Sequence, residues 1–232
     1  MEEKSNEIID DNKEKKNSDI VDTHKETALA YIIRVMVFVG GIFVLALGAA
    51  TSITANLGVA TWDVLHIGLS NLSGLSVGRW VQIVGIIMVL TTCILEREKP
   101  AIGSILNILI VGYFLNLILD LGFIPNFTEI LPRSILLLIG IVLMGTGSGM
   151  YVASKVGAGP RDGMTLYLSK RFSISVRLAR TILEISALTI GWLIGGPVAI
   201  GTFLSVPLVG PVMQASLRFW MKQLTRLPKT SN

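Results

Sequence analysis

Cysteine and histidine are scarce in this chain of 232 residues, which has one cysteine, Cys93, and two histidines, His24 and His66. One cysteine excludes an internal disulfide, and so few thiols and imidazoles cannot form a thiol- or histidine-rich metal centre. The sequence also lacks a Ser/His/Asp set, an HExxH motif and a phosphate-cradling glycine loop. We therefore expect no catalytic residues, no metal and no cofactor, and we do not expect an enzyme.

Charged residues are also scarce: they make up 16% of the chain, whereas hydrophobic residues make up 51%. So few polar residues cannot cover the surface of a soluble domain of this length. Residues 1–28 carry nine acidic residues and five lysines, residues 219–232 are basic, and no signal-peptide hydrophobic stretch begins near the N-terminus. The sequence predicts a polytopic membrane protein with a disordered acidic tail at 1–28 and a basic tail at 219–232.

Long apolar segments set the number of membrane spans, since a transmembrane helix needs about 20 apolar residues. Two shorter apolar stretches, 58–72 and 157–171, would reach only about 22 Å as helices, so we interpret them as re-entrant or interfacial. The sequence predicts an all-α membrane protein with these two short helices and six spans, at 30–51, 76–95, 101–121, 133–153, 175–195 and 198–218.

The distribution of lysine and arginine predicts the orientation of the chain. With a cytoplasmic N-terminus and six spans, the outer loops 52–79, 121–133 and 195–198 hold two basic residues, whereas the inner loops and the C-terminal tail hold twelve. Cytoplasmic loops carry the Lys/Arg excess, so both termini are predicted to be cytoplasmic. Counting the short stretches as spans would give eight and would move Arg97, Lys99, Lys155 and Arg161 outside.

The two halves of the chain repeat each other. A shift of 99 residues aligns 34–83 with 133–182 without a gap and gives eleven identities, among them Arg34/Arg133, Gly48/Gly147 and Asp63/Asp162. The register then moves by one residue, so that Gly103 matches Gly201. With three spans in each copy, 29–121 and 133–218, the second copy enters from the opposite side. This predicts two inverted-topology repeats, an architecture common in secondary transporters.

The short helices each begin at a glycine-rich turn, in NLGVATWDVLHIGLSN at 56–71 and KVGAGPRDGMTLYLSK at 155–170. Gly58, Gly157 and Gly159 permit a sharp turn and a close backbone approach. Pro160 suits the first position of a helix, where its missing N–H is not needed. If both turns enter the membrane, two helix N-termini converge near its centre, and such ends bind anions.

Asp63 and Asp162 fall in the first turns of these helices, which leaves two alternatives open. Each carboxylate either caps its own helix or faces a ligand between the converging helix starts. Arg161, which replaces Trp62 of the first repeat, either contacts an anionic ligand or acts as a cytoplasmic topology signal.

Glu184 is the ionisable residue expected nearest the bilayer midplane, nine residues past Ser175. Charges there usually pair or line a transport pathway. Arg180, one turn earlier, could form an ion pair with Glu184; a role in proton coupling or ligand binding is the alternative. Further polar residues within the spans either line a cavity or hydrogen-bond between helices, and the candidates for a pathway are Gln82, Thr202 and Gln214.

Residues 30–215 resemble the YczE/YyaS/YitT family of bacterial multi-pass membrane proteins. The resemblance rests on LGVATWDVLHIGLS and GLSVGRWVQIVG in the first half, and on GAGPRDG and SVRLARTILEISALTIGWLIGGPVAIGTFLSVPLVGP in the second. It implies a location in the bacterial plasma membrane and gives no agreed activity.

Together these features favour a secondary transporter or channel for a small solute, with an anion as one candidate, bound at the interface of the repeats. The expected partners are the lipid bilayer and that solute, a homo-oligomer is compatible with the sequence, and no nucleic acid is expected. A membrane-embedded regulator or scaffold is the alternative, in which the tails and inner loops would carry the information.

Overall fold

Eight α-helices make up the part of the chain that the computed structural model describes, residues 28–97, 102–157 and 159–227, and no strand occurs there. The described residues from 33 to 226 belong to one compact unit, and 28–32 and Leu227 belong to a second. The predicted tail at 1–28 thus lies outside the described residues except for Ala28. In chain order the helices are α1 (Ala28–Ala55), α2 (Thr61–Ser73), α3 (Val77–Glu96), α4 (Ile102–Leu121), α5 (Ile130–Ser154), α6 (Pro160–Phe172), α7 (Val176–Leu193) and α8 (Ile200–Leu224).

Five of these helices, α1, α3, α4, α5 and α8, are long and apolar enough to cross a membrane. The sixth predicted span, 175–195, corresponds to α7, which is not among the five. Its 18 residues include three ionisable side chains, Arg177, Arg180 and Glu184. Because each such side chain is expensive at membrane depth, composition alone does not support α7 as a span.

The two short helices form where the sequence predicts them. Both α2 and α6 have 13 residues, a length of about 20 Å. They begin three residues later than predicted, because 58–60 in the first copy, and 157 and 159 in the second, lie outside the helices. Pro160 is the first residue of α6, as predicted. Each helix ends at a residue with left-handed backbone, Gly74 (φ 74°) or Ser173 (φ 52°).

Helices α1 and α5 pack closely and antiparallel through glycines. A Cβ placed on Gly41 would lie 2.6 Å from the backbone nitrogen of Tyr151, and one on Gly48 would lie 2.5 Å from that of Met144. In the facing helix, a Cβ on Gly147 would lie 2.6 Å from the carbonyl oxygen of Gly41, and one on Gly140 would lie 2.9 Å from that of Gly48. Since lipid supplies no hydrophobic force between helices, such close backbone packing stabilises the pair.

Two arginines satisfy carbonyl groups at the ends of this helix pair. Arg34 donates through Nη1 to the carbonyl oxygen of Ser154 at 3.3 Å. Arg133 donates through Nε to the carbonyl oxygen of Ala55 at 3.0 Å, and through Nη2 to that of Asn56. The last carbonyls of a helix have no partner within the helix, so each arginine stabilises the C-terminus of the opposite helix.

The other helices form two similar sets of contacts. Helix α2 packs on α7, where a Cβ on Gly191 would lie 2.6 Å from the backbone nitrogen of Leu65. Helix α6 packs on α3, where Thr92 Oγ1 lies 3.9 Å from the sulfur of Met164. Helix α3 also packs on α4, and α5 on α8. The result is a helical bundle in which the short helices are covered by longer ones.

The C-terminal helix is longer than predicted. Helix α8 ends at Leu224 rather than at 218, so the predicted basic tail begins inside the helix. No glycine or proline interrupts residues 218–224, the rings of Phe219 and Trp220 contact each other edge to face at 5.6 Å, and Leu224 is buried. With no glycine or proline in this stretch, the helix continues to Leu224.

The glycine packing makes a direct prediction. We expect Gly147→Ala to lower the free energy of unfolding by about 1–3 kcal/mol, because the new methyl group would overlap the backbone of α1 at Leu45. The matched control is Gly210→Ala on α8, where a Cβ meets nothing within 4 Å. Thermal unfolding in detergent measures both variants, and equal stability would contradict the close approach of α1 and α5.

Candidate functional site

One side-chain contact links the starts of α2 and α6. The guanidinium carbon of Arg161, in the first turn of α6, is 5.2 Å from the ring centroid of Trp62, in the first turn of α2. This distance is typical of a cation–π contact. The structure thus brings together the two helix starts that the glycine-rich turns introduce.

Each turn is held against the start of another helix. Gly58 has φ +95°, a conformation that favours glycine, and its carbonyl lies against Gly201, whose N–H donates to the carbonyl oxygen of Leu57 at 2.7 Å. A Cβ on Gly58 would lie 2.9 Å from the hydroxyl of the buried Thr202. Gly157 contacts the backbone of Gly103 in the same way. The sequence prediction of close backbone approach at these turns is confirmed.

Asp63 is buried and does not cap its helix. Its side chain accepts no hydrogen bond from the backbone, and its Oδ2 atom is buried without a hydrogen-bond partner among the described residues. His66, one turn later, places Nδ1 3.8 Å from Asp63 Oδ1, which is beyond hydrogen-bond distance. Asp63 is 6% exposed and His66 is 3% exposed. Among the described residues no hydrogen bond by which Asp63 would cap α2 is observed, and its carboxylate lies in the first turn of that helix.

Glu184 reaches the same helix start. Thr61, the first residue of α2, donates its hydroxyl hydrogen to the carboxylate of Glu184 on α7. No ion pair joins Glu184 to Arg180 in the part of the chain that the structure describes. Instead, Arg180 lies within electrostatic range of Tyr151, on α5, together with Arg161 and Asp162. The alternative of an Arg180–Glu184 ion pair is thus not observed.

The start of α6 is more open than that of α2. Asp162 is half-buried, and its Oδ2 atom and the hydroxyl of Tyr151 both face Gly159, where a Cβ would lie 3.3 Å and 3.0 Å from them. No side-chain hydrogen bond caps this helix either. Arg161 itself is exposed.

The remaining predicted site residues lie elsewhere. Gln82 donates through Nε2 to the carbonyl oxygen of Leu109 at 2.9 Å, so it joins α3 to α4. Gln214 is exposed on α8, and Thr202 is buried behind the first turn. Sequence reasoning missed Thr61, Trp62 and His66; the i, i+3 spacing of Asp63 and His66 on one helix was an available signal.

The chemistry of this site is that of two carboxylates and an aromatic face. Asp63 and Glu184 have no lysine or arginine within 4.0 Å among the described residues. The indole ring of Trp62 contacts the guanidinium of Arg161. Within the same residues no three His, Cys, Asp or Glu side chains come together as metal ligands would. The arrangement can therefore hold a positively charged group, and it contains no assembled metal site.

The contact between α2 and α7 can be tested by removing its donor. We expect Thr61→Val to lower the free energy of unfolding by about 1–2 kcal/mol, because the partly buried carboxylate of Glu184 loses its hydrogen bond. The double variant Thr61→Val/Glu184→Leu should recover much of that loss. The control is Thr189→Val, at an exposed position of α7; a Thr61→Val variant as stable as this control would contradict the contact.

Comparison with known proteins gives relatives along most of the chain. It is 33% identical over 188 residues to the "Uncharacterized membrane protein YczE" of Bacillus subtilis, covering 80% of this chain and 86% of that protein. It is 31% identical over 202 residues to an "Uncharacterized protein" of Haemophilus influenzae, covering 87% and 88%. It is 32% identical over 177 residues to the "Uncharacterized protein YyaS" of Bacillus subtilis, covering 75% and 87%. No solved structure matches.

These relatives confirm the resemblance seen in the sequence, and the name of the first supports a location in the membrane. A family model described as "Family of unknown function (DUF6198)" matches residues 32–218. The chain is therefore a membrane protein that belongs to the DUF6198 family.

Proposed function

We propose that the protein is a secondary transporter for a small solute, built from two inverted-topology repeats with six spans, and that it is not an enzyme. The observation that carries this proposal is a difference between two matching helix pairs: α3 and α4 are closed on each other, whereas α7 and α8 are apart. The solute would bind at the starts of α2 and α6.

The repeat is supported by contacts that recur when each residue is replaced by its counterpart in the other repeat. Counterpart positions are 99 residues apart in the first three helices of each repeat and 98 apart in the fourth. The counterparts of Arg34 and Ser154 are Arg133 and Ala55, and both pairs form the same kind of hydrogen bond, from the guanidinium to the backbone carbonyl oxygen. The contact of Gly41 with Gly147 likewise recurs as that of Gly140 with Gly48. Such recurrence is expected of two copies related by a twofold axis.

The direction of the helices supports inversion. Helices α1 and α5 are counterparts and run antiparallel, so an axis that exchanges them also reverses their direction relative to the membrane. Trp62 and Arg161 are counterparts that contact each other, and two counterpart residues can touch only close to such an axis. The starts of α2 and α6 would then meet at the repeat interface, where inverted-repeat transporters bind substrate.

Helix α7 fits this arrangement as the sixth span. It is the counterpart of α3, and it buries Ala179, Ala187 and Gly191 within the bundle while Glu184 bonds to Thr61. Intramembrane charges usually face the interior of a bundle or an aqueous cavity. With α7 as a span, the inner loops keep their excess of lysine and arginine.

The first helix pair is closed by polar contacts. The N–H of Gly78 donates to Asn116 Oδ1 at 2.9 Å, and Asn116 Nδ2 donates to the hydroxyl of Ser76 at 2.9 Å. A Cβ on Gly112 would lie 2.5 Å from the side chain of Gln82. These contacts close the ends of α3 and α4 that the proposed topology assigns to the outer face.

The second helix pair lacks these contacts. Helices α7 and α8 are fully described, and no comparable packing joins them. The counterparts of Ser76, Gly78, Gln82 and Asn116 are all exposed, namely Ser175, Arg177, Thr181 and Gln214. Arg177 is the charged residue among these four, and as an exposed residue near the start of a proposed span it favours an aqueous opening at this end of the pair. Exchange of the closed and open conformations between the repeats would expose the site alternately to the two sides, as transport requires.

Paired cysteines test this exchange in a Cys93→Ser background. One pair is Ser76→Cys with Asn116→Cys, and the other is its counterpart, Ser175→Cys with Gln214→Cys. We expect each pair to cross-link in membrane vesicles under oxidation, because the molecule alternates between two states. With all four cysteines present, locking one pair should prevent the other from closing. Gel mobility after proteolysis between the repeats distinguishes the products.

A control pair lies in the contact that does not change. Ser52 Oγ is 3.9 Å from the sulfur of Met144 across α1 and α5, so Ser52→Cys with Met144→Cys should cross-link in either state. If only the Ser76/Asn116 pair ever cross-links, the protein is a rigid scaffold. If both test pairs cross-link in one molecule, the two openings are independent and alternation is excluded.

A further inference from the structure

We infer that the solute is a small organic cation, an amine or guanidine compound, which binds at Trp62, Asp63 and Glu184 in the place now held by the guanidinium of Arg161. The inference rests on the proposed transport function for the use of this site, whereas binding itself can be measured without transport. It departs from the anion that converging helix starts alone would favour.

The first argument is the negative charge at the start of α2, where the buried imidazole of His66, 3.8 Å from Asp63 Oδ1, is the one ion-pair partner among the described residues. Asp63 is 6% exposed, and its Oδ2 atom has no hydrogen-bond partner among the described residues. Among the described residues, Glu184 accepts a hydrogen bond from the hydroxyl of Thr61 alone. Neither carboxylate has a lysine or arginine within 4.0 Å in the described chain. Because a buried carboxylate oxygen without a hydrogen bond is costly, a ligand that supplies a positive charge and N–H donors would complete the site at Asp63 Oδ2.

The second argument is the aromatic face beside these carboxylates. The ring centroid of Trp62 lies 5.2 Å from the guanidinium carbon of Arg161. The side chain of Arg161 makes no described hydrogen bond or ion pair and is exposed. It is therefore held mainly by this one contact, which is worth a factor of about 2 to 30 in an equilibrium constant. A free cation can displace it.

The third argument is that the carboxylates near the two helix starts, Asp63, Asp162 and Glu184, outnumber the arginines, Arg161 and Arg180. Asp63 and Asp162 occupy the first turns of the two helices, so the positive ends of both helix dipoles already face carboxylates. Glu184 adds a third carboxylate on the side of α7. Arg161 is the cation in contact with the indole, and it marks the position where the head group of a cationic ligand would lie.

Intrinsic fluorescence of Trp62 tests the inference directly. The other tryptophans, Trp80, Trp192 and Trp220, are replaced by phenylalanine in the full-length protein in detergent. The probes are methylguanidinium chloride and tetramethylammonium chloride, compared with sodium acetate and sodium phosphate at equal ionic strength. We expect a saturable change in Trp62 emission with at least one of the two cations, and none with the two anions.

Three variants make the test specific. Arg161→Gln should tighten cation binding by about 2- to 30-fold, because it removes the tethered competitor. Asp63→Asn should weaken binding by about tenfold or more. Asp120→Asn, which removes an exposed carboxylate at the end of α4, should leave it unchanged. Thermal stabilisation of the protein with all four tryptophans provides a second readout if the phenylalanine replacements impair folding.

Several results would overturn the inference. One is saturable binding of acetate or phosphate instead of the cations. Another is that neither wild type nor Arg161→Gln responds to either cation in fluorescence or in thermal stability. The third is that Asp63→Asn binds the cations as tightly as wild type. The outcome is separable from that of the transport proposal. If cations bind but only one of the two test cysteine pairs ever cross-links, the transport proposal is wrong and the cation site stands. If both pairs cross-link alternately but no cation binds, the transport proposal stands and the cation site is wrong.

Discussion

Close backbone contact between α1 and α5 is the constraint on which the rest of the structure depends. In a bilayer, apolar side chains gain little by leaving lipid for a helix interface, so helices associate through tight packing and polar contacts. Gly41, Gly48, Gly140 and Gly147 supply that packing, and Arg34 and Arg133 bond the helix ends. The antiparallel pair fixes where the following turns begin, and hence where α2 and α6 start.

The site that results is not arranged for stability alone. Asp63 is buried with one oxygen unpartnered, and the indole N–H of Trp62 has no acceptor among the described residues. An interior chosen only for stability would satisfy or replace such groups. Their retention beside a weakly held arginine is consistent with a binding role. Apolar contacts of Trp62 with Leu65, Met88 and Ala187 hold the helix start in place around them.

Much of the helix architecture could be predicted from the sequence, because apolar segment length, the glycine-rich turns and Pro160 act locally. The eight segments and the two helix starts follow from these features. The partner of Glu184 could not be predicted, since Thr61 lies 123 residues away and local spacing favours Arg180. The burial of His66 and the failure of Asp63 to cap α2 also depend on how α2 packs against α7. The repeat alignment did contain one unused signal, because it pairs Trp62 with Arg161, and counterparts near a twofold axis can touch.

Opposite orientation of the two repeats is the central claim, and the counterpart positions Asn71 and Lys170 test it most directly. Both are exposed near the ends of α2 and α6. Each is replaced singly by cysteine in a Cys93→Ser background and treated with a membrane-impermeant maleimide in intact cells. The account predicts that the cysteine at 71 is labelled at once and that the cysteine at 170 is labelled only after permeabilisation. Labelling of both from the same side would contradict it.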